Sequence, residues 1–334
     1  MEMKPVCVIV LLFATIVYSC YTHYKYYHGT FPENPVNMED FNSEYDDYNS
    51  TSPFLGAVSG FYFSTNRNSS GGNFDIIFKL LDVSFDKSTG ELTIGSGSGS
   101  DAGMPGVLSV INTSYDELGP YLIPDYDFSS GKYTGGLRYQ KAIFLYSSND
   151  SGNLDIRFIH NLTGDSLSAP KNIIYLNSDK EDAYPTLNQN NSEIYFCSDR
   201  DGDFDIFKAE IPQTGSLVQI LSNSESTIVT RETSLSSDYN DKCPFITGNL
   251  MLFVSDRPGG FGGFDLYYSI FRDGGWTAPV NFGEKINSQY DEYRPIVKTF
   301  WDEFTNALMI FSSNRPGGQG GFDLYYVGID YMKK

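Results

Sequence analysis

The sequence predicts an all-β fold, a five-bladed β-propeller of four-stranded antiparallel blades closed by an N-terminal outer strand. Three observations predict it: a hairpin motif that occurs five times, a strand-entry motif upstream of each hairpin, and a strand-like segment before the first unit. Self-similarity on a scale of tens of residues is the signature of a repeat architecture. A chain of 334 residues is long enough to bury a large core in one domain.

The hairpin motif is clearest at 255–268, SDRPGGFGGFDLYY, and at 313–326, SNRPGGQGGFDLYY. Weaker copies occupy 65–78, 148–158 and 198–208. A short apolar run precedes each turn and another follows it, which indicates two strands joined by a tight turn. One Asp opens the second strand in every copy and is expected to accept backbone hydrogen bonds across the turn. These structural repeat residues are Asp75, Asp155, Asp205, Asp265 and Asp323.

The strand-entry motif places an acid three residues before a proline in four units, at Glu117, Asp182, Asp241 and Glu292. The first unit keeps the acid as Asp47. Proline is tolerated at the first position of a strand because that residue need not donate to the ladder. Each unit then has an entry strand, a hairpin and one further segment, which is the four-stranded pattern of a propeller blade.

The two ends of the chain predict how the ring closes. The segment NPVNMEDFNS at 34–43 resembles pieces that follow the second and fourth hairpins, and nothing comparable follows the fifth. Residues near 35–42 are therefore expected to supply the outer strand of the last blade, which leaves no exposed blade edge. Val36 and Met38 are expected to be buried there.

The hairpins and entry motifs resemble the WD40-like, TolB-type propeller repeat family of bacterial envelope proteins, over roughly 31–331. That resemblance implies a non-catalytic protein–protein interaction module in a gram-negative cell envelope. Its partners would be envelope proteins of a larger assembly, the type IX secretion and gliding machinery among them.

The N-terminus predicts export. Residues 1–20 read as a lipoprotein-type signal peptide, residues 21–30 as a tether and residues 31–334 as the propeller. The sequence VYSC ending at Cys20 resembles a lipobox, which makes Cys20 the predicted lipidation site; an ordinary signal peptide cut near Ser19 or an uncleaved anchor is the alternative. A lipid-anchored protein on the periplasmic side of the outer membrane is the predicted location.

Composition and motif spacing argue against several classes of partner and cofactor. The net charge of −19 argues against nucleic acid and against anionic membrane surfaces as direct partners. No cofactor and no metal site are predicted, because the acid-rich loop at 199–205 lacks the spacing of a calcium loop. The glycine-rich turns join strand to strand and lack the helix that a phosphate cradle needs. Cys197 and Cys243 are expected to be buried free thiols, with a disulfide as the alternative.

The strongest alternative function is a carbohydrate-active propeller, either a glycoside hydrolase or a glycan binder. Glycoside hydrolysis needs two well-placed carboxylates. Because the repeated acids are expected to be structural, the candidates are the unrepeated acids Asp125, Asp127, Asp302 and Glu303.

Three long connections break the repeat, at 82–106, 125–141 and 298–307. In a four-stranded blade all three belong to one end of the propeller, opposite the glycine-rich hairpins. This end is the predicted partner-binding surface, since aromatic and arginine side chains anchor interfaces; tolerated surface insertions are the alternative. The predicted partner-binding residues are Tyr126, Phe128, Tyr133, Arg138, Tyr139, Trp301 and Phe304.

Overall fold

A computed structural model describes residues 25–53, 58–99, 104–124, 141–162, 166–223, 227–300 and 303–330. These residues form five antiparallel sheets that are the blades of one propeller, which confirms the predicted fold class. The helical content of this part of the chain is one 3-10 turn (Arg67–Ser69) and two short α-helices, α1 (Val107–Ile111) and α2 (Leu217–Leu221).

The blades follow the sequence repeats in order. Blade 1 contains β2 (Asp47–Thr51), β3 (Val58–Thr65), β4 (Asp75–Phe85) and β5 (Leu92–Gly97). Blade 2 contains β6 (Glu117–Pro124), β7 (Ala142–Ser148), β8 (Asp155–His160) and β9 (Lys171–Asn172). Blade 3 contains β10 (Asp182–Leu187), β11 (Glu193–Ser198), β12 (Asp205–Glu210) and β13 (Val229–Arg231).

The last two blades complete the ring. Blade 4 contains β14 (Asp241–Thr247), β15 (Leu250–Ser255) and β16 (Asp265–Arg272), and both β17 (Gly275–Trp276) and β18 (Val280–Asn281) pair with β16. Blade 5 contains β19 (Glu292–Lys298), β20 (Ala307–Ser313), β21 (Asp323–Ile329) and the N-terminal strand β1 (Val36–Asn37).

Each second strand is buried on both faces, as the continuous apolar runs predict. All six residues of β15 and all seven of β20 are buried. Successive side chains of such a strand face the two neighbouring blades in turn. Neither face meets solvent, so the strand is apolar throughout and shows no alternation of polar and apolar residues.

The ends of the blades define two faces. We call the end that carries the turns between second and third strands, at 66–74, 149–154, 199–204, 256–264 and 314–322, the hairpin face. The opposite end, where first and second strands and third and fourth strands are joined, is the loop face. Inner strands begin at the hairpin face and end at the loop face.

The ring closes as predicted. Val36 and Asn37 of β1 pair with Tyr326 and Tyr325 of β21. The Asp47 amide donates to the Phe322 carbonyl at 2.7 Å. Met38 is buried as predicted, with 3% of its surface exposed. The prediction that Val36 is buried was wrong, because 38% of its surface is exposed.

The joint between the last and first blades is the same as an internal joint. The Phe322 amide donates to Asp46 Oδ1 at 2.8 Å, and the Phe74 amide donates to Asp116 Oδ1 at 2.9 Å between blades 1 and 2. The residue before the repeated Asp thus bonds to the next blade at both joints. The same contact that joins blades 1 and 2 therefore joins the C-terminal blade to the N-terminal part of the chain.

The repeated acids at the strand entries are buried and hydrogen-bonded inside their own blade. Asp241 Oδ2 accepts from the Ser237 amide at 2.7 Å and from Ser237 Oγ at 2.8 Å, while Arg257 Nη2 donates to its other oxygen. The same arginine–acid pair joins Arg67 to Asp47, Arg200 to Asp182 and Arg315 to Glu292. Glu117 instead accepts from Thr113 and Ser148.

Four of the five structural repeat acids close their own hairpin turn. Asp265 and Asp323 each accept two backbone N–H groups of the turn. In blades 1 and 2 a side chain of the turn donates instead, from Asn68 to Asp75 and from Ser151 to Asp155. Asp205 is held from outside its turn, by Arg231 of β13. All five carboxylates are thereby engaged in structural contacts.

The long connection of blade 1 is a strand extension. β4 runs on to Phe85 and pairs with β5 as far as Leu92, so the turn itself covers only 86–91. Asp86 Oδ1 accepts from Ser88 and Thr89 within that turn. The glycine–serine run at 95–100 lies within the predicted connection at 82–106, and its first three residues belong to β5.

Two further findings concern the rest of the described chain. Cys197 and Cys243 are buried free thiols. None of the helices in this part of the chain is long and apolar enough to cross a membrane. The predicted signal peptide and Cys20 lie outside the described residues, so lipidation and the outer-membrane location stay predictions.

Candidate functional site

The centre of the propeller is lined by five residues that occupy one position of the repeat. Each lies two residues after the strand-entry acid, has a positive φ of 42–59°, and sits at a bulge between the first and second strands of its blade. A bulge re-aims a side chain out of the regular alternation. We call these residues the channel ring: Asn49, Gly119, Tyr184, Cys243 and Arg294.

Contacts between blades that are not neighbours show that the ring side chains meet on the central axis. Asn49 of blade 1 donates from Nδ2 to Tyr184 Oη of blade 3 at 3.4 Å. Arg294 of blade 5 donates from Nη1 to the Tyr184 carbonyl at 3.3 Å. Gly119 makes room for this arrangement, because a Cβ at that position would come within 2.5 Å of the Tyr184 ring. The middle of the channel is therefore filled by side chains.

Arg294 is the most unusual member of the ring. Its side chain is fully buried, and its Nη1 also donates to the Pro244 carbonyl at 3.1 Å. The guanidinium lies 5.6 Å from the centre of the Tyr184 ring. Sequence reasoning missed the whole ring, although one signal was present: the residue two positions after the entry acid is different in every unit.

Lys298 lies at the loop-face end of the inner strand of blade 5. Only 2% of its surface is exposed, and Nζ donates to Ser52 Oγ at 2.8 Å and to Ser59 Oγ at 2.5 Å. Its two partners are neutral hydroxyls, and burial lowers the pKa of the amine to about 7. Desolvation disfavours the charged form of a lysine in this way.

The Lys298 pKa predicts a pH dependence of stability. A lysine in the unfolded chain titrates near 10.4, so between about pH 7 and 10 the unfolded chain binds a proton that the folded chain does not. The free energy of unfolding should therefore rise with pH in this window, by at most about 1.4 kcal/mol per pH unit, relative to Lys298→Met. Urea unfolding of both proteins at several pH values measures the difference. Parallel pH profiles would show that Lys298 titrates as an ordinary lysine.

The loop face joins blade 5, blade 1 and the N-terminal segment. Phe304 stacks on Phe31 with ring centres 4.1 Å apart and lies 5.8 Å from Phe85. Gly29 donates to the Glu303 carbonyl at 2.8 Å and accepts from the Thr305 amide at 2.9 Å. The end of the predicted tether is therefore bound to the propeller, and the connections of blades 1 and 5 are contiguous as predicted.

The predicted surface residues can be placed only in part. Phe304 is 2% exposed, so its ring belongs to the core and does not offer a surface to a partner. The other six predicted partner-binding residues, together with Asp125, Asp127 and Asp302, lie outside the described residues. Glu303 is described and exposed.

An open cleft of about 480 Å³ lies on the hairpin face between blades 4 and 5. Its wall includes Phe261, with 46% of its surface exposed, and the polar side chains of Glu284, Gln289 and Arg315. Arg315 is already paired with Glu292. Glu284 is the one acidic residue among those that line this cleft. Among the described residues no group of three or more His, Cys, Asp or Glu side chains could hold a metal ion.

Comparisons with known proteins identify solved structures that share this fold. No protein-family model and no curated protein sequence matches the chain. A thermostable family-43 glycoside hydrolase matches with a TM-score of 0.51 at 11% identity, covering 89% of this chain and 94% of that one. A second solved glycoside hydrolase matches with a TM-score of 0.51 at 7% identity, covering 92% and 94%. An α-L-arabinofuranosidase of Podospora anserina matches with a TM-score of 0.49 at 10% identity, covering 91% and 96%.

These findings correct two predictions. The resemblance to WD40-like, TolB-type repeats was wrong, since no family model matches and the similar solved structures are glycoside hydrolases. The non-catalytic interaction module inferred from that resemblance was wrong for the same reason. The residues that carried the resemblance are the turn and entry acids, which the structure shows to be architectural, so they specify a propeller without specifying its relatives.

Proposed function

We infer that this chain is a carbohydrate-active propeller that hydrolyses glycosidic bonds. The observation that carries this proposal is that propellers named glycoside hydrolases share its fold over about nine-tenths of both chains. A shared fold alone is an argument by analogy, so the proposal also has to identify carboxylates that are free to act.

The repeated acids are not free. Glycoside hydrolysis uses one carboxyl group as a general acid and a second as a nucleophile or general base. Each strand-entry acid is buried and accepts from a Ser or Thr four residues earlier, and four of the five also pair with an arginine, as Asp182 does with Arg200. A group held in this way in every blade cannot supply the asymmetric pair that catalysis requires.

The unrepeated acids belong to connections that start and end at the loop face. β6 ends at Pro124 and β7 begins at Ala142, while β19 ends at Lys298 and β20 begins at Ala307. These four strand ends lie at one end of the propeller. The intervening residues include Asp125, Asp127, Asp302 and Glu303, with Tyr126, Phe128 and Trp301 beside them in sequence.

Glu303 is the best defined of these acids. Its carboxylate is exposed, while its backbone is fixed by a bond from its amide to the Phe300 carbonyl at 3.0 Å and by the bond from Gly29. Tyr126 and Trp301, which adjoin these acids in sequence, are residue types that combine an apolar face with a polar group at the edge. Such rings suit the apolar face of a sugar, while the carboxylates suit its hydroxyl groups and its glycosidic oxygen.

The test is a carboxylate scan of the purified protein. Asp125→Asn, Asp127→Asn, Asp302→Asn and Glu303→Gln are each assayed on the glycan that the wild type cleaves. We expect two of the four to lose about 10²–10⁴-fold in kcat/KM, with folding unchanged because none of the four belongs to a described strand. Glu284→Gln on the hairpin face is the matched control and should keep wild-type activity. Full activity in all four variants, or a loss confined to Glu284→Gln, would contradict the placement of the site at the loop face.

A further inference from the structure

The hairpin face presents aromatic side chains at equivalent positions of the repeat. Two residues before the strand-entry acid, four units have a tyrosine and the third unit has Lys180. Tyr115 and Tyr239 of this set are 48% and 44% exposed, and Phe261 of the fourth hairpin turn is 46% exposed. Exposed rings are therefore a repeated feature of one end of the propeller.

The turn before the entry acid does not depend on the tyrosine ring. Its geometry is fixed by a backbone amide that donates to the hydroxyl two residues earlier, as Tyr115 does to Thr113 Oγ1 at 3.1 Å. Lys180 makes the same bond to Ser178 Oγ at 3.2 Å, and the remaining three entries repeat it. Because a lysine forms this turn as well as a tyrosine does, the rings are not needed for it.

The fifth unit provides the same comparison for Phe261. Residues 255–268 and 313–326 differ at two positions, one of which places Gln319 where the fourth unit has Phe261. Both backbone amides donate to the turn Asp of their unit, at 2.7 Å from Phe261 and 2.5 Å from Gln319. The Gln319 side chain donates to the Glu39 carbonyl at 3.0 Å, whereas the Phe261 side chain lines an open cleft.

The exposed rings line clefts with polar walls. Phe261 shares the cleft between blades 4 and 5 with Gln289. An equivalent cleft of about 400 Å³ lies between blades 1 and 2, where Tyr115 is accompanied by Asn73 and Ser114. Both volumes lie in the range of small-ligand sites, about 300–1,000 Å³. A ring beside amide and hydroxyl groups suits a sugar, because a sugar has an apolar C–H face and a rim of hydroxyls.

The charge of the hairpin face favours an uncharged ligand. Four of its arginines are paired with buried strand-entry carboxylates, so the exposed charge of its loops is mainly acidic. Exposed acids of these loops include Glu44, Asp179, Asp201 and Asp238. Like charge disfavours phosphates and acidic glycans here. Single rings among polar groups also differ from the contiguous apolar patch that marks a protein or membrane interface.

We propose that the hairpin face binds an uncharged polysaccharide without cleaving it, through the exposed rings of Tyr115, Tyr239 and Phe261. The class of ligand rests on the proposed hydrolase function, whereas the binding surface does not depend on which acids are catalytic. The rings lie at the end of the propeller opposite Glu303. Binding there therefore leaves the loop face free for the reaction.

A depletion assay measures this binding separately from hydrolysis. Wild-type protein and the triple variant Tyr115→Lys/Tyr239→Lys/Phe261→Gln are mixed with insoluble cellulose, chitin or β-1,3-glucan, and the protein left in solution is measured. Each substitution introduces the residue that another unit has at that position, so the fold should be retained. We expect the triple variant to bind at least about tenfold more weakly than the wild type. Wild-type binding should persist in about 1 M NaCl, where charge contacts are screened.

The double variant Ile228→Lys/Val280→Lys is the control for charge. It adds the same two positive charges at exposed apolar residues away from the hairpin face, and it should bind like the wild type. Equal depletion of wild type and triple variant, loss of wild-type binding at high salt, or no wild-type depletion by any polysaccharide would overturn the proposal.

Sugar release from soluble oligosaccharides is measured in parallel and should be the same in wild type and triple variant. A lower release by the triple variant would place the rings in the catalytic site and would also overturn the proposal. Ring-dependent binding without release from any glycan would support the binding surface and contradict the hydrolase function alone.

Discussion

Met38→Asp is expected to lower the free energy of unfolding by about 4 kcal/mol, whereas Val36→Asp, two residues away, changes it by less than about 0.5 kcal/mol. Met38 is 3% exposed and packs with Phe41 and Phe61 in the core between blades 5 and 1. An aspartate there would be a buried charge without a partner. Val36 is 38% exposed, so its replacement keeps the new carboxylate in solvent.

Urea unfolding of the two variants beside the wild type decides the point. The pair is matched in chemistry and in chain position, and it differs only in burial. A large loss in Met38→Asp alone shows that the N-terminal segment closes the ring by packing of its side chains. Equal stability of both variants would mean that residues 36–42 do not complete the last blade.

Asp241→Asn is expected to cost about 3 kcal/mol, the second large effect. Its Oδ2 accepts two bonds from Ser237, and its Oδ1 accepts from Arg257. The asparagine amide has one accepting oxygen and one donating NH₂ group. Its NH₂ must therefore face either the Ser237 donors or the Arg257 guanidinium, and in both cases Arg257 loses its charge partner.

The matched control for that substitution is Asp238→Asn, which changes an exposed acid of the same strand entry. It should alter stability by less than about 0.5 kcal/mol. Guanidinium unfolding of the two variants compares them. Similar losses would indicate a general effect of charge on this acidic protein, and no loss in either would remove the structural role assigned to the repeated acids.

The sequence was sufficient for the architecture because the architecture is repeated. Turn residues and entry acids recur five times, and recurrence separates a structural role such as that of Asp241 from a catalytic one. Ring closure could be predicted for the same reason. The fifth unit lacks a fourth strand of its own, and the N-terminal segment supplies a strand that no other unit needs.

What could not be predicted depends on contacts between distant parts of the chain. Phe304 was expected to be a surface anchor, but it stacks on Phe31, which is far away in sequence. Val36 and Met38 were expected to share a face because strand side chains alternate, yet β1 ends at Asn37 and the alternation ends with it. Arg294 was missed because a bulge, which the entry motif alone does not reveal, turns it toward the axis.

The function predicted from the repeat failed for a related reason. Residues such as Asp265 that define a propeller hairpin are fixed by turn geometry, and proteins with different activities can share them. The unrepeated acids were noted in the sequence, and the structure adds that the repeated carboxylates are unavailable for catalysis.

The most direct test of the central claim is incubation of the purified protein with a panel of plant, algal and bacterial polysaccharides, followed by chromatographic analysis of the products. We predict that at least one polysaccharide yields new oligosaccharides or monosaccharides, and that Glu303→Gln or one of the three aspartate variants abolishes the release. A folded wild-type protein that releases no sugar from any member of the panel, and that binds none of them, would contradict the assignment of this propeller as carbohydrate-active.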